Sequence, residues 1–264
     1  MITHSYIDTH THLDDSQFSD DLDSVLTDAT AAGVSGMVNI GYCPERWTTT
    51  LALAERYPQV RYALGLHPGN ADEWSEALFA DLAALVEQTD PVAIGEIGLD
   101  YYWTQDNKTV QRTSFERQTE LAYSRKLPII IHQRDAAEDV AAILRNAPDD
   151  LRIVLHSFDG DPGLFELARE RGWMLGVGGL MTRRQSEELR SGLPQFPLEQ
   201  VLLETDSPYL VPSGIKARRN SPVMIPLIAE RLAGVIDRTV AEIAATTTRN
   251  VERVFGLKAS VASS

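Results

Sequence analysis

The chain has 264 residues, of which 43% are hydrophobic, and a formal net charge of −14. Its single cysteine, Cys43, excludes an intramolecular disulfide framework, and no stretch approaches the ~18 consecutive apolar residues of a membrane-spanning helix. The first residues also lack the basic and apolar regions of a signal peptide, so we expect a cytoplasmic protein. We also expect no association with a membrane and no obligate protein partner. The acidic charge opposes long-range attraction of polyanions, so a nucleic-acid substrate would require local cations or bound metal.

Short apolar segments rich in Val, Ile and Leu alternate along the chain with longer segments of helical character. The strand candidates are 6–13, 33–41, 60–67, 92–100, 127–132, 152–158, 173–179 and 201–208. Between them, segments 108–126 and 134–147 have apolar residues at helical spacing. Alternating strands and helices form parallel βαβ units, and eight such units in about 250 residues match the size of a (β/α)8 barrel.

We therefore predict an α/β fold with one (β/α)8 TIM-barrel domain over residues 1–257 and a disordered tail over 258–264. The alternative is an open doubly wound sheet, which would have a glycine-rich dinucleotide-binding turn after an early strand. The sequence "GYCPER" after the second strand candidate is not such a turn. The chain also has no linker or low-complexity segment, which favours one domain.

Titratable residues concentrate at the ends of these strand candidates. His10 and His12 share one face of the first strand, because side chains two residues apart point to the same side. The other members of the group are His67, Glu96, His132, His156, Glu204 and Asp206. The C-terminal strand ends of a barrel form a single face, so we expect these side chains to converge in one pocket.

A cluster of imidazoles and carboxylates points to metal binding. A single histidine at a strand end is usually a capped or surface residue, and Glu96 alone is compatible with an ordinary salt-bridged carboxylate. Together, however, buried carboxylates and imidazoles need a cation, since an unpaired buried charge costs several kcal/mol. A carboxylate flanked by imidazoles is how proteins hold two divalent ions ~3.5–4 Å apart for hydrolysis, and mixed nitrogen and oxygen ligands suit Zn, Mn, Fe or Ni better than Mg.

Six ordered motifs resemble the TatD family of metal-dependent deoxyribonucleases, within the amidohydrolase-like barrels. They are "YIDTHTH" (6–12), "GLHP" (65–68), "GEIGLDYY" (95–102), "LPIIIHQRDA" (127–136), "LHSF-x-G" (155–160) and "LLETDSPYL" (202–210). The resemblance extends from about Tyr6 to Phe255 and includes Gln111, Phe115, Gln118, Leu121, Ala122, Asn220 and Pro222. It implies a divalent-metal-dependent hydrolase that cleaves phosphodiester bonds, as a 3′-5′ exodeoxyribonuclease on DNA or another nucleic acid.

The resemblance also implies two divalent cations, with Zn, Mn and Mg as candidates. One would be held by His10, His12, Glu96 and Asp206, and the second by Glu96, His132 and His156, with Glu96 bridging. Related amidohydrolases often bridge with a carboxylated lysine on strand four, and this chain has no lysine there. Metal-activated water would attack phosphorus, with Glu96 and Asp206 as the catalytic residues and Asp206 accepting the proton. Asp100 and Glu204 are expected to support the ligands from behind.

Further residues are expected to bind the substrate. His67 would line the pocket without binding metal, and Arg134 would lie in the loop after strand five. Lys216 and Arg218, in "GIKARRN" (214–220), would grip phosphate from the loop after strand eight. The alternative is that these cations form an ordinary solvated run, or that Arg134 pairs with acidic residues on the following helix.

Three loop positions depart from the family pattern, namely Gly69, Asp159 and Ser221. They leave the metal ligands intact but affect the substrate, and Asp159 would repel a phosphate. Two other hypotheses therefore stay open. One is a hydrolase of a small amide, lactone or phosphate ester with the same dinuclear site, which the acidic charge favours, and the other is a metal-stabilised scaffold without turnover.

Overall fold

The computed structural model describes residues 4–103 and 106–257, and the predicted tail at 258–264 lies outside them. Eight parallel strands pair in chain order from β1 to β8. They are β1 (Tyr6–Thr11), β2 (Val34–Gly41), β3 (Val60–Leu64), β4 (Ala93–Asp100), β5 (Ile129–Arg134), β6 (Ile153–Leu155), β7 (Met174–Val177) and β8 (Val201–Leu203). A bridge between Thr11 and Ser207 brings the first and last strands together. The predicted (β/α)8 barrel is confirmed.

Helices follow the strands around the outside of this barrel. They are α1 (Leu22–Ala31), α2 (Pro44–Arg56), α3 (Glu76–Gln88), α4 (Lys108–Ser124), α5 (Ala137–Arg145), α6 (Pro162–Arg171), α7 (Glu187–Gly192), α8 (Ile225–Ile236) and α9 (Val240–Phe255). The helices predicted at 108–126 and 134–147 correspond to α4 and α5. Within the described residues, no helix has the length and apolar character needed to cross a membrane.

Two apolar clusters arise because side chains alternate along each strand. The larger cluster packs the outer faces of the strands against the surrounding helices. The smaller one contains alternate residues of successive strands, including Val38, Ala63, Ile130 and Leu202, together with Phe255 of α9. Side chains from so many strands meet only in the barrel interior, so this cluster lies beneath the polar residues at the strand ends.

The strands end at different heights, which corrects several predicted boundaries. β3, β6 and β8 end before His67, His156 and Glu204, so these polar residues lie just beyond their strands. The β4–β5 pair is longer, because Asp100 still pairs with Arg134. Arg134 is therefore the last residue of β5 and does not lie in the following loop as predicted. The extended β4–β5 edge projects above its neighbours.

Two buried glutamines of α4 hold the ends of β3 and β4 in place. Gln111 accepts a hydrogen bond from the Asp100 amide at 2.9 Å and donates to the Asp100 carbonyl at 3.0 Å. Gln118 accepts from the Leu66 amide at 2.7 Å and donates to the Leu66 carbonyl at 3.1 Å. Each amide side chain thus satisfies a backbone N–H and a backbone C=O that are not bonded to a neighbouring strand. These bonds explain why both glutamines occur in the spacer between the motifs.

Candidate metal centre

Local irregularities of β1, β4 and the segment after β8 turn polar side chains toward the interior. The pairing register shifts between Asp8 and Thr11 on β1, and between Gly95 and Ile97 on β4. Such bulges change the direction of a side chain relative to simple alternation. Asp206 has a φ of 57°, a left-handed conformation that aspartate tolerates better than most residues.

Glu96 lies at the centre of the cluster, with four imidazoles around its carboxylate. Its Oε2 is 3.3 Å from His10 Nε2, and its Oε1 is 2.8 Å from His132 Nδ1. The same Oε1 lies 3.7 Å from the Nε2 atoms of both His67 and His156. One carboxylate therefore faces imidazole nitrogens from both sides of the barrel.

Asp206 forms the other side of the cluster. Its Oδ1 is 3.3 Å from His12 Nε2 and 3.8 Å from the Nε2 atoms of His10 and His156. In each of three overlapping groups the ligand atoms lie within 4.8 Å of one another: His10–Glu96–His156, His10–His12–Asp206 and His67–Glu96–His132. The six predicted ligands are thus brought together, and His67 lies among them.

The electrostatics of the cluster fit a cation. Burial opposes ionisation of Glu96, but the neighbouring imidazoles, His156 foremost, hold the pKa of its carboxyl well below the usual value. Burial lowers the pKa of His132 and His156, yet the facing carboxylates outweigh it and raise these pKa values to about 9 and about 10. The carboxylates thus keep protons on two imidazoles where a divalent cation would supply the same positive charge. Buried histidine, glutamate and aspartate side chains in this arrangement suit metal binding.

Two further carboxylates support the histidines from behind. Asp100 Oδ2 lies 2.9 Å from His132 Nε2, while its Oδ1 accepts a hydrogen bond from the Tyr102 amide at 3.0 Å. Glu204 Oε1 lies 3.0 Å from His156 Nδ1 and accepts from the Ser157 amide at 2.6 Å. A carboxylate on the far nitrogen fixes the orientation of a ligating imidazole. Asp100 and Glu204 therefore contact His132 and His156, and their role in supporting metal ligands stays a prediction.

Asp8 is a buried support that the sequence did not single out. Its carboxyl accepts hydrogen bonds from the Thr205 amide at 2.9 Å and the Thr205 hydroxyl at 2.6 Å. Burial raises the pKa of this carboxyl to about 8, although the Thr205 bonds act in the opposite direction. The contact joins β1 to the residue before Asp206 and so sets the distance between the two ends of the cluster. The sequence shows that Asp8 alternates with His10 and His12 along one strand, but it does not show that Asp8 pairs with Thr205.

His67 has a geometry that separates it from the other imidazoles. Its Nδ1 accepts a hydrogen bond from the Gly69 amide at 2.9 Å. Burial, assisted by His132, lowers the pKa of His67 to about 3, which favours a neutral ring, and the Gly69 bond at Nδ1 then favours the tautomer with the proton on Nε2. That nitrogen faces Glu96 and the cavity, and a protonated nitrogen has no lone pair for a metal. A Cβ at position 69 would lie 2.9 Å from His67 Nδ1, so glycine permits this contact.

A cavity of about 590 Å³ opens above the cluster. Besides the histidines and acids already described, it is lined by Tyr42, Gln133, Arg134, Ser157, Asp159, Leu180, Arg183, Gln185, Tyr209 and Leu210. Arg134 and Arg183 are the arginines in this lining. Arg183 was not among the predicted substrate-binding residues. Its "RR" in "LMTRRQ" nevertheless follows strand seven, as "KARR" follows strand eight. Lys216 and Arg218 are exposed and do not line the cavity.

The remaining loop departures have simple structural surroundings. Asp159 is exposed on the cavity wall, where its carboxylate accepts hydrogen bonds from Gln133 Nε2 at 2.9 Å and the Asp161 amide at 3.1 Å. Ser221 precedes a short 3-10 helix outside the cavity lining. Its neighbour Asn220 is buried and donates to the Thr205 carbonyl at 2.8 Å, which steadies the segment around Asp206.

Comparison with known proteins identifies the relatives of this chain. The model of the family described as TatD related DNase matches residues 7–256. The chain is 36% identical to the 3′-5′ ssDNA/RNA exonuclease TatD of Salmonella typhimurium over 94% of its own length and 98% of the relative. It is 37% identical to a metal-dependent hydrolase, also called TatD, of Mycobacterium tuberculosis, over 95% and 98%. The crystal structure of YJJV, a TatD homologue from Escherichia coli, superposes with a TM-score of 0.88 at 31% identity, covering 96% and 98% of the two chains.

Proposed function

We propose that this chain, which belongs to the TatD family of metal-dependent hydrolases, is a 3′-5′ exonuclease acting on DNA or a related nucleic acid. The observation that supports this most is the single cluster in which Glu96 faces four imidazoles and Asp206 faces three. The likeness to an exonuclease over nearly the full length of both chains supports the substrate class.

Six side chains would hold two divalent cations. We assign His10, His12, Glu96 and Asp206 to one ion and Glu96, His132 and His156 to the other. Mixed nitrogen and oxygen ligands accommodate Zn or Mn, and a looser site of this kind accepts Mg. His67 is left out of the set because the Gly69 amide occupies its Nδ1 and the proton lies on its Nε2.

The protein groups then divide the chemistry between them. When bound, two divalent cations lower the pKa of coordinated water and neutralise charge on the phosphate oxygens. Asp206, at the cavity wall, accepts the proton of the attacking water. His67 donates a hydrogen bond from Nε2 to the phosphate or to the leaving oxygen, and Arg134 and Arg183 orient the phosphodiester through charged hydrogen bonds.

A second candidate function uses the same centre on a small phosphate ester, amide or lactone. The net charge of −14 and the Asp159 carboxylate on the cavity wall favour it, because both repel a polyanion.

One experiment separates the two functions. Metal-free protein is reloaded with Mn²⁺, Mg²⁺ or Zn²⁺ and assayed on a 5′-labelled single-stranded oligonucleotide, on bis(p-nitrophenyl) phosphate and on small esters and amides. A nuclease produces a ladder that shortens from the 3′ end, and Glu96→Gln abolishes it. Turnover of small substrates with an intact oligonucleotide would refute the nuclease and establish the second function.

A further inference from the structure

Two adjacent aromatic side chains stand exposed beside the cavity. Tyr102 is 53% exposed and Trp103 is 74% exposed, and their rings meet edge to face with centroids 4.8 Å apart. In the described part of the chain, the other large hydrophobic side chains with comparable exposure are Tyr123 and Tyr209. A tryptophan this open to water buries little of its apolar surface on folding, so most of its ring is accessible to a ligand.

The long β4–β5 pair holds these rings next to the metal centre. Tyr102 follows the end of β4, and its amide donates to Asp100, whose other oxygen faces the imidazole of His132. On the neighbouring strand, Arg134 lies two residues beyond His132, a span of about 7 Å. The rings therefore directly follow the strand pair that carries the predicted ligand His132.

Arg134 connects the aromatic rings to the cavity. Its Cζ lies 3.6 Å from the Tyr102 ring centroid and 5.5 Å from that of Trp103, and the residue lines the cavity. Of the acidic residues on the following helix, Asp139 pairs with Arg112 and Tyr101 and not with Arg134. A guanidinium that stacks through its face keeps its N–H donors in the plane, where they are available to phosphate oxygens.

We propose that Tyr102, Trp103 and Arg134 form a nucleobase-stacking subsite, which binds an unpaired base next to the phosphodiester at the metal centre. This inference rests on the proposed nuclease function and adds a binding site to it. Aromatic rings and guanidinium planes are the surfaces on which single-stranded nucleic acids stack, whatever the base. Bases inside a duplex have both faces covered, so the subsite selects single strands.

The subsite also answers how so acidic a protein holds a polyanion. Stacking on Trp103 needs no long-range attraction, and it is only weakly opposed by a net charge of −14. Arg134 places a positive charge between the base on the rings and the phosphate in the cavity. At this short range it attracts the phosphate despite the acidic net charge. The occupant is thus a nucleotide whose base lies on the rings and whose phosphate lies in the cavity.

The test uses oligonucleotides that lack one base at a time. Metal-loaded wild type, Trp103→Ala and Tyr102→Ala are assayed for kcat/KM on short oligothymidylates, complete or with a single abasic position. Binding of the corresponding phosphorothioate oligonucleotides is measured by anisotropy. The control is Tyr123→Ala, which removes an exposed tyrosine at the far end of α4.

We expect one abasic position to weaken wild-type binding and kcat/KM about ten-fold, the scale of a lost stacked base. Trp103→Ala loses about as much on the complete oligonucleotide but little more on the one abasic at that position, and Tyr123→Ala behaves as wild type. Equal losses on complete and abasic oligonucleotides, or no loss, would overturn the subsite while leaving the nuclease intact. If oligonucleotides are neither bound nor cut while bis(p-nitrophenyl) phosphate is hydrolysed, the nuclease function itself fails and the subsite with it.

Discussion

The cavity has a floor, which is the buried cluster around Glu96 and Asp206, and a rim, which is formed by Tyr102, Trp103 and Arg134. The two regions differ in burial and in how many charged partners each residue has. On the floor, Glu96 is 4% exposed, and every titratable neighbour faces a partner of opposite character within 4 Å. On the rim, Trp103 is 74% exposed and Arg134 touches only aromatic rings through its guanidinium among the contacts of the described residues. Burial makes each floor residue dependent on the others, whereas rim residues act one at a time. Substitutions should therefore be severe and cooperative on the floor, and mild and separable on the rim.

The largest effect is expected for Glu96→Gln. The change keeps the shape but removes the negative charge shared by the surrounding imidazoles, so bound metal should fall well below the wild-type stoichiometry. Turnover should fall by about a thousand-fold or more, as for removal of one member of a catalytic unit. Elemental analysis and steady-state kinetics measure both, with exposed Glu116→Gln as the control. Unchanged metal content would refute Glu96 as the bridging ligand.

Glu204→Gln tests whether the floor extends behind the ligands. The amide cannot hold the charge that orients His156 through Nδ1, so metal affinity should fall about 10- to 100-fold. The loss should be recovered at saturating metal, because Glu204 does not touch the cavity. Competition with a metal indicator provides the affinity, and exposed Glu199→Gln should match wild type. If excess metal fails to restore turnover, Glu204 has a more direct role than support.

The floor was largely predictable from the sequence, and the rim was not. Predicted ligands such as His132 lie on strands whose apolar pattern fixes both the register and the end of the barrel that they occupy. Rim residues depend on where each strand stops, and β5 continues two residues further than its hydrophobic pattern indicates, which moved Arg134 out of a loop. The partner of Asp8 is Thr205, in a distant segment that a pattern along one strand does not reveal. The tautomer of His67 depends on the loop conformation that brings the Gly69 amide to its Nδ1.

On the rim, Arg134→Ala should lower kcat/KM on an oligonucleotide about ten-fold, the scale of a lost charged hydrogen bond. Metal content should stay at the wild-type value, which is the difference from the floor. Arg145→Ala, an exposed arginine in the last turn of α5, provides the control. A loss of metal in Arg134→Ala would show that the extended β4–β5 edge supports the floor as well.

Gly69→Ala should have a smaller effect at the boundary between the two regions. Its Cβ would meet His67 Nδ1 at 2.9 Å, so the ring must turn and lose the bond that fixes its tautomer. We expect about a five-fold decrease in kcat/KM, equivalent to one neutral hydrogen bond, with metal content unchanged. The ¹⁵N shifts of the ring report the tautomer directly. Gly234→Ala, in open space on α8, is the matched control, and a wild-type tautomer in Gly69→Ala would disprove this account.

The smallest effect is expected for the cations after β8, which differ among themselves. Arg219 donates to both oxygens of Asp21 at 2.6 Å and lies over the ring of Phe18. Its loss should cost stability, about 1 kcal/mol or less for a surface pair, without altering KM. Lys216 and Arg218 are exposed outside the cavity, so they act on a polyanion only through long-range charge.

The double change Lys216→Glu and Arg218→Glu should therefore raise KM on an oligonucleotide about two- to three-fold at low salt, flatten its salt dependence and leave kcat unchanged. Arg219→Ala should instead affect stability: we expect a lower melting temperature, with the salt dependence of KM as in wild type. KM measured across a series of salt concentrations, beside thermal melts of both variants, separates the two outcomes. A ten-fold rise in KM that persists at high salt would mean that Lys216 or Arg218 contacts the strand directly, and the rim would then extend to the segment after β8.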